Sequence, residues 1–354
     1  MIKTDTQIDL ERFPEFDNHE FVSFFYYKKY GLKGLVAIHN TNLGPATGGT
    51  RMWHYPTLEA AVREALNLSK AMTYKCALAG VGFGGGKAVI ISDPQNKTEE
   101  MLRAYGRVID SWQGQFTTGT DVGVSQADTA IMAEHSKYIL GQPTDGIFKQ
   151  DTSKMASLGV FHAIGEILSQ LYGTGAYAGR TVAIRGMGKL GSELARLLIE
   201  AGTRVYVSDI DQRKLIETKT RLPQIKIVDN SEINKLPVDV FSPNALGNEF
   251  NQANLSNLRA KSIVGGANNQ LANDAIGTAL FKKDIIYAPD YVVNAGGLIN
   301  IVDELEPGGY DFNRVESRIL NIKNTLRQII SLSEKKQQPT HLIADQMAEK
   351  IIYV

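Results

Sequence analysis

Two lysines and an aspartate sit among small residues, where a ligand can come close to a charged group. Lys75 follows Met72-Thr73-Tyr74. Lys87 follows Gly84-Gly85-Gly86 and leads into the apolar run Ala88-Val89-Ile90-Ile91. A lysine at the mouth of a buried strand lies in low-dielectric surroundings that lower its pKa. An amine tuned in this way is a general base near neutral pH. Spacing alone leaves a solvated lysine on a glycine turn equally open. Asp121 lies within Thr118-Gly119-Thr120-Asp121-Val122-Gly123, and its plain alternative is a loop cap. In Gly48-Gly49-Thr50-Arg51, the paired glycines expose backbone N–H groups able to bind a carboxylate.

A second kind of chemistry is written in Gly186-Met187-Gly188-Lys189-Leu190-Gly191. This glycine pattern is weak alone. Here an apolar run, Thr181 to Arg185, precedes it and an amphipathic stretch, Lys189 to Ala201, follows it. Asp209 comes twenty-three residues after Gly186, near the offset of about 20 expected for an acid on the adenosine ribose. Gly186 permits the tight turn, Gly188 lets backbone approach a pyrophosphate at the helix N-terminus, and Gly191 allows close helix–strand packing. The alternative is an ordinary glycine-rich turn between strand and helix. Gly-Gly-Gly-Lys is not a P-loop: Val81 stands where the first glycine is required, and Ala88 where Ser or Thr is required. The histidines, at 19, 39, 54, 135, 162 and 341, form no i,i+4 pair, so no metal is expected.

The elements that must position these groups follow from periodicity. Residues 20–40 alternate as strands, with a hairpin around Tyr30 to Gly34. Apolar positions at helical intervals predict helices over 57–72, capped by Thr57, and over 98–112, capped by Thr98. Ala88 to Ile91 is a short buried strand. From about residue 180 the chain alternates strand and helix: strands at Thr181–Arg185, Arg204–Ser208, Val238–Phe241 and Ser262–Val264. This pattern predicts a parallel sheet covered by helices. One long amphipathic helix covers 313–334, and a last helix runs from Leu342 to Ile352. The fold class is α/β in two domains. The expected division is an N-terminal substrate and oligomerisation domain over 1–142, a Rossmann-like dinucleotide-binding domain over 143–330, and a C-terminal segment over 331–354 that packs back toward the first domain.

The length of 354 residues suits two domains, and 43% hydrophobic with 21% charged residues supplies more than one core. Lys plus Arg and Asp plus Glu both number 38, so neither nucleic acid nor an anionic membrane surface is an expected partner. The single cysteine, Cys76, allows no internal disulfide. Met1 to Gln7 carries no apolar signal core, and no apolar run reaches the roughly 18 residues of a membrane span. The expected compartment is the cytoplasm.

These motifs, in this order, are similar to the amino-acid dehydrogenases of the leucine/phenylalanine/valine group, relatives of glutamate dehydrogenase. The resemblance runs from about residue 35 to the end. It rests on Leu43 to Arg51, Met72 to Lys75, Gly84 to Lys87, Thr120 to Gly123, Gly186 to Gly191, Ala267-Asn268-Asn269-Gln270 and Asn294-Ala295-Gly296-Gly297. The family fold is two domains with a cleft, the second Rossmann-like. The resemblance implies NAD-dependent, reversible oxidative deamination of an apolar L-amino acid to the 2-oxo acid and ammonia. It implies that Lys75 pairs with the substrate carboxylate and that Asn294 and the Gly48-Gly49 backbone also hold it. Lys87 is then the base that activates water against the imino carbon, and Asp121 exchanges protons with the amino nitrogen. Thr47, Gly119, Leu298 and Ile301 correspond to the side-chain pocket. Ser153, Gly186, Met187, Gly188, Lys189, Leu190, Gly191, Asp209, Ile210 and Asn269 correspond to the cofactor site. A homo-oligomer, dimer or octamer, is expected.

The chain departs from the family where Ser-Pro-x-Thr-Ala-x-Gly-Val is usual. It reads Ser153-Lys154-Met155-Ala156-Ser157-Leu158-Gly159-Val160, so the threonine hydroxyl expected near the nicotinamide amide is absent at Ala156. Ser157 is adjacent but points about 100° away on a helix. Pro243-Asn244-Ala245-Leu246-Gly247 replaces a usual Pro-Cys-Ala-Leu-Gly. Two other functions compete with the first. A glutamate dehydrogenase would need an added cation for the side-chain carboxylate, and none appears in the motifs. A catalytically weak nucleotide-binding relative has only Ala156 in its favour.

Overall fold

The computed structural model describes residues 9–142, 151–245 and 247–354. Pro143, at the expected domain boundary, and Leu246 lie outside them. The described residues divide into two units, 9–142 and 151–352, apart from Leu78–Gly80 and the last two residues.

The first unit runs β1 (Phe21–Tyr27), β2 (Leu32–Asn40), β3 (Ala46–Thr47), β4 (Thr50–Trp53), α1 (Leu58–Ala79), β5 (Gly84–Ile91), α2 (Glu99–Asp110), β6 (Phe116–Thr117) and α3 (Gln126–Ala133). The sheet order is β1-β2-β5-β3-β6, with β4 also paired to β5. The period-two alternation of strands sorts side chains onto two faces. Leu35, Ala37 and Val89 pack with Ala61, Val62, Ala65 and Leu66 of α1. Val36, Ile38, Ala88 and Ile90 pack with Leu102, Tyr105 and Ile109 of α2 and Met132 of α3. Lys87 has the parity of Val89 and is in register with Ala37, so it shares the α1 face.

Three expectations need correction here. The hairpin turn is Lys28 to Gly31, not Tyr30 to Gly34, because Gly31 takes the left-handed conformation and pairing resumes at once. Helix α1 continues to Ala79, with no Gly or Pro before Gly80 to stop it, so Lys75 lies inside the helix rather than just beyond it. Strand β5 begins at Gly84, so Lys87 is a strand residue and not part of a turn. The glycines ahead of it are there for packing: a Cβ at Gly85 would lie 2.1 Å from Thr73 N, and one at Gly86 2.8 Å from the Phe116 ring. The expected caps hold, with Ala60 N donating to Thr57 Oγ1 and Met101 N to Thr98 Oγ1.

The second unit runs α4 (Thr152–Tyr172), β7 (Thr181–Arg185), α5 (Lys189–Glu200), β8 (Arg204–Ser208), α6 (Gln212–Arg221), β9 (Lys226–Ile227), β10 (Val240–Pro243), β11 (Ser262–Ile263), α7 (Asp274–Phe281), β12 (Ile286–Tyr287), α8 (Asp290–Val293), α9 (Gly296–Val302), α10 (Phe312–Lys336) and α11 (Thr340–Ile352). Its sheet is wholly parallel, in the order β12-β11-β10-β7-β8-β9. This is the doubly wound arrangement, and its switch point lies between β7 and β10, where ligands of such sheets bind. Helix α10 runs unbroken across residue 331, because buried Ile329, Ile330 and Ser333 continue its stripe. Helix α11 packs on α7, β12 and α10. Among the described residues no helix is long and apolar enough to cross a membrane.

Candidate active site

In the first unit four charged side chains converge from separate elements. Lys87, on β5, is 6% exposed, and its Nζ donates to Asp121 Oδ2. Arg51, on β4, places Nε 3.4 Å from Asp121 Oδ2 and Nη2 3.5 Å from Oδ1. Its Nη1 donates to Glu64 of α1. The register of β4 against β5 accounts for this: Arg51 is level with Val89 and Met52 with Ile90, so Arg51 emerges on the α1 face. Burial by itself raises the Asp121 pKa, but the Lys87 and Arg51 charges and the Val122 N–H outweigh it and bring the carboxyl down to about 2.

The loop carrying Asp121 is fixed on every side. Thr50 N donates to Gly119 O at 3.0 Å and Met52 N to Val122 O at 2.9 Å, which lays the segment along β4. Underneath, Thr50 Oγ1 is 2.6 Å from Tyr105 Oη and 2.7 Å from Thr118 Oγ1. Beyond Asp121, Lys97 Nζ donates to Gly123 O at 2.9 Å and to Asp128 at 2.5 Å. Asp121 does accept Val122 N at 2.7 Å, as a cap would, but its main partners are the two cations. Gly48 and Gly49 let the backbones close in: a Cβ at Gly48 would lie 1.9 Å from Gly86 O, and one at Gly49 2.6 Å from Thr120 O. Thr47 and Gly119 are buried nearby, on β3 and on the segment ahead of Asp121. Lys75 is half-buried on α1, eleven residues and so about three turns beyond Glu64.

In the second unit the glycine turn has the expected geometry. Gly186 takes φ +96°, and a Cβ on it would lie 2.8 Å from the backbone of Asn244 and Ala245, which follow β10, so it stands at the switch point. A Cβ at Gly191 would lie 2.0 Å from Gly186 O. Gly188 is the N-cap of α5 and supplies no side-chain cap, and a Cβ on it would meet nothing within 4 Å. The first N–H groups of α5 are thus left to an outside acceptor, which fits a phosphate-bearing cofactor. Asp209 Oδ2 accepts Met187 N at 2.7 Å and Oδ1 accepts Asp211 N at 2.8 Å, and lone pairs remain for ribose hydroxyls. Ile210 beside it is 85% exposed. Ser153, Lys154, Met187, Gly188 and Lys189 line one cavity of about 490 Å³. Leu190 O accepts the Ser157 hydroxyl at 3.0 Å, and Ser153 O accepts it at 2.7 Å. Fully buried and bonded in this way, Ser157 does not stand in for the hydroxyl absent at Ala156.

Asn269 sits in the left-handed conformation at φ 52°. Asn294 Nδ2 donates to Asn268 Oδ1 at 2.7 Å and Gly266 O at 3.2 Å, while its buried Oδ1 has no partner. Leu298 and Ile301 lie three apart on α9, and both are half-buried. Among the described residues no group of three His, Cys, Asp or Glu is arranged to hold a metal.

Sequence reading missed Arg51 and Glu64 as members of the charged cluster. A signal existed: Arg51 is a lone charge on a strand whose neighbours Thr50 and Met52 are fully buried.

Comparison with known proteins agrees with both halves. The model of the Glu/Leu/Phe/Val dehydrogenase dimerisation domain matches residues 20–138, and that of glutamate/leucine/phenylalanine/valine dehydrogenase matches 146–350. Phenylalanine dehydrogenase of Thermoactinomyces intermedius is 42% identical, over 93% of this chain and 90% of that enzyme. Leucine dehydrogenase of Geobacillus stearothermophilus is 38% identical, over 98% and 94%. The crystal structure of L-tryptophan dehydrogenase from Nostoc punctiforme superposes with a TM-score of 0.83 at 41% identity, covering 94% of this chain and 95% of that one. With both units matched in order and at this level of identity, the chain belongs to the Glu/Leu/Phe/Val dehydrogenase family, the oxidoreductases that act on the CH–NH2 group of amino acids.

Proposed function

We infer that this chain catalyses the NAD-dependent, reversible oxidative deamination of a large apolar L-amino acid. The observation that carries the reading is the contact between buried Lys87 and partly buried Asp121. A bound nicotinamide cofactor would supply the acceptor for the hydride lost from the substrate Cα. The Gly48 N–H already donates to Thr117 O at 3.2 Å, so Lys75 and the Gly49 N–H are left to hold the substrate carboxylate. Lys87 takes a proton from the water that adds to the imino carbon, and Asp121 exchanges a proton with the nitrogen. Because Lys87 and Asp121 are in hydrogen-bond contact, a proton taken up at one can pass to the other. The balance is one amino acid, one water and one oxidised cofactor giving one 2-oxo acid, one ammonium, one reduced cofactor and one proton.

Asp209 favours NAD, since its carboxylate repels a 2′-phosphate. Thr47, Gly119, Leu298 and Ile301 are the side-chain-selecting residues in this reading. None is charged, so an anionic side chain would be left unpaired and penalised. The compartment is the cytoplasm, in keeping with the single buried Cys76. A homo-oligomer is supported by edge strand β1, on which Phe21, Phe24, Tyr26 and Tyr27 are exposed and ask for cover by a second copy. Light scattering should give a dimer or octamer, and a monomer would remove that part of the reading. Following reduced-nicotinamide absorbance with a panel of amino acids tests the whole. Rates with leucine, phenylalanine, tryptophan or valine far above glutamate are expected. Glutamate preference, or no reduction with any amino acid, would overturn it.

A further inference from the structure

Asp121 is held by two cations of different kinds. Lys87 donates to Oδ2 with a compact ammonium that is able to give up its proton. Arg51 approaches with a guanidinium that keeps its charge throughout the working pH range. The guanidinium is anchored at its far end, where Nη1 donates to Glu64. Its Nε lies 3.4 Å from Asp121 Oδ2, yet this buried N–H donates to nothing. The contact is therefore Coulombic, and Nη2 reaches Oδ1 only at 3.5 Å. A small movement of the carboxylate would turn these two long approaches into the parallel pair that arginine makes best with a carboxylate.

We propose that Arg51 is a positioning residue that takes over Asp121 as Lys87 gives up its proton: when the ammonium becomes an amine, the Asp121 carboxylate passes from Lys87 Nζ to the Nε–Nη2 edge of Arg51. This rests on Lys87 being the base. Without Arg51, deprotonating Lys87 would leave a largely buried carboxylate with no cation beside it, and burying an unpaired charge is costly. The proton would then stay. The other ionisable groups on the elements packed around Asp121 are Glu64 and Lys75 on α1, Tyr55 after β4, Tyr105 on α2 beneath Thr50, His39 on β2, which is 2.9 Å from Thr73 Oγ1, and Lys97, which binds the loop at Gly123 O and pairs with Asp128. Burial and the nearby Glu64 push the Tyr55 phenol up, so it stays neutral.

The test is the pH dependence of kcat/KM for amino-acid oxidation by the full-length enzyme, because kcat/KM reports groups of the free enzyme. Removing a permanent cation makes every nearby proton harder to lose. Arg51→Gln should therefore move the acid limb up by about one pH unit and lower kcat about tenfold or more, with cofactor KM unchanged. Arg51→Lys keeps the charge and should leave the limb in place. Glu64→Gln removes an anion and should move the limb down. A purely structural role would lower melting temperature and rate in all three without opposite shifts. An unmoved limb in Arg51→Gln, or equal displacement in Arg51→Lys, would overturn the proposal. Should Arg51→Gln not fold, the other two decide: an unmoved limb in Glu64→Gln, or a displaced one in Arg51→Lys, counts against it. Wild-type enzyme that reduces no nicotinamide with any amino acid would instead sink the proposed function.

Discussion

The dinucleotide turn occupies six consecutive residues, Gly186 to Gly191, whereas the charged cluster draws on Arg51, Glu64, Lys87 and Asp121, spread over seventy positions. In the turn, the backbone does the work, and three of the six residues are glycine. Its geometry is local: a strand, a left-handed glycine and a helix N-terminus follow one another in the chain. In the cluster, the side chains do the work and the backbone only delivers them. There β4, β5, α1 and a loop must each be in register before any of the four charges meets its partner. The two regions should therefore fail separately.

Lys87→Ala breaks that comparison most severely if it is wrong. Loss of a general base costs about 10²–10⁴-fold, so turnover should fall by that factor while NAD binding, followed by cofactor fluorescence, is unchanged. Activity above about a tenth of wild type would remove Lys87 from the mechanism. A loss of NAD binding would show that the regions are coupled.

The reverse experiment is Gly186→Ala. An alanine at φ +96° whose Cβ lies 2.8 Å from the Asn244 and Ala245 backbone is strained twice over. Strain of about 1–3 kcal/mol should raise cofactor KM roughly tenfold or more, because 1.4 kcal/mol is a factor of ten in binding. The melting transition of the first unit should barely move. Unchanged cofactor KM would mean that the turn tolerates a Cβ and that its local geometry was misread.

A smaller effect is expected at Asp209. Its carboxylate already accepts Met187 N and Asp211 N, so it belongs to the turn besides its proposed role at the ribose. Wild type should prefer NAD over NADP, and Asp209→Ser should narrow that preference. Arg213, 88% exposed at its side chain and loosely paired with Asp211 at 3.4 Å, is the cation able to receive a 2′-phosphate. A wild-type kcat/KM that favours NADP would point to Arg213 and reverse the assignment.

The same contrast explains what was legible in the sequence. The second unit's strands Thr181–Arg185 and Arg204–Ser208 were readable to the residue, because strand, turn and helix signals lie in one short window. Lys87 and Asp121 were visible as types among glycines, but their contact was not, since no local signal pairs residues 34 apart. Lys87 was expected to lead into a strand beginning at Ala88, with a turn left equally open because glycine reads as turn; the strand in fact begins at Gly84. Here Gly85 and Gly86 are strand residues kept small by Thr73 and Phe116. Arg51 and Glu64 escaped because their partnership depends on which face of β4 meets α1. That register is settled by packing far along the chain.

The finest test concerns substrate selection, where one methyl group is at issue. Gly119 is buried, two residues before Asp121, and its carbonyl is fixed by Thr50 N at 3.0 Å. A Cβ there would meet Leu140 O at 3.5 Å and Leu140 Cβ at 3.8 Å, which is ordinary contact. Gly119→Ala should therefore fold normally and keep its Asp121 geometry, unlike a Cβ at Gly48 or Gly49. Any change in activity then reports lost space rather than a broken loop. Losing room for a ring while keeping room for a branched chain should shift kcat/KM from phenylalanine toward leucine or valine. One methylene is worth about 1–3 kcal/mol of discrimination, so a shift of roughly tenfold in the ratio is expected. An unchanged ratio in a well-folded Gly119→Ala enzyme would place residue 119 outside the pocket and withdraw it, with Thr47, from substrate selection.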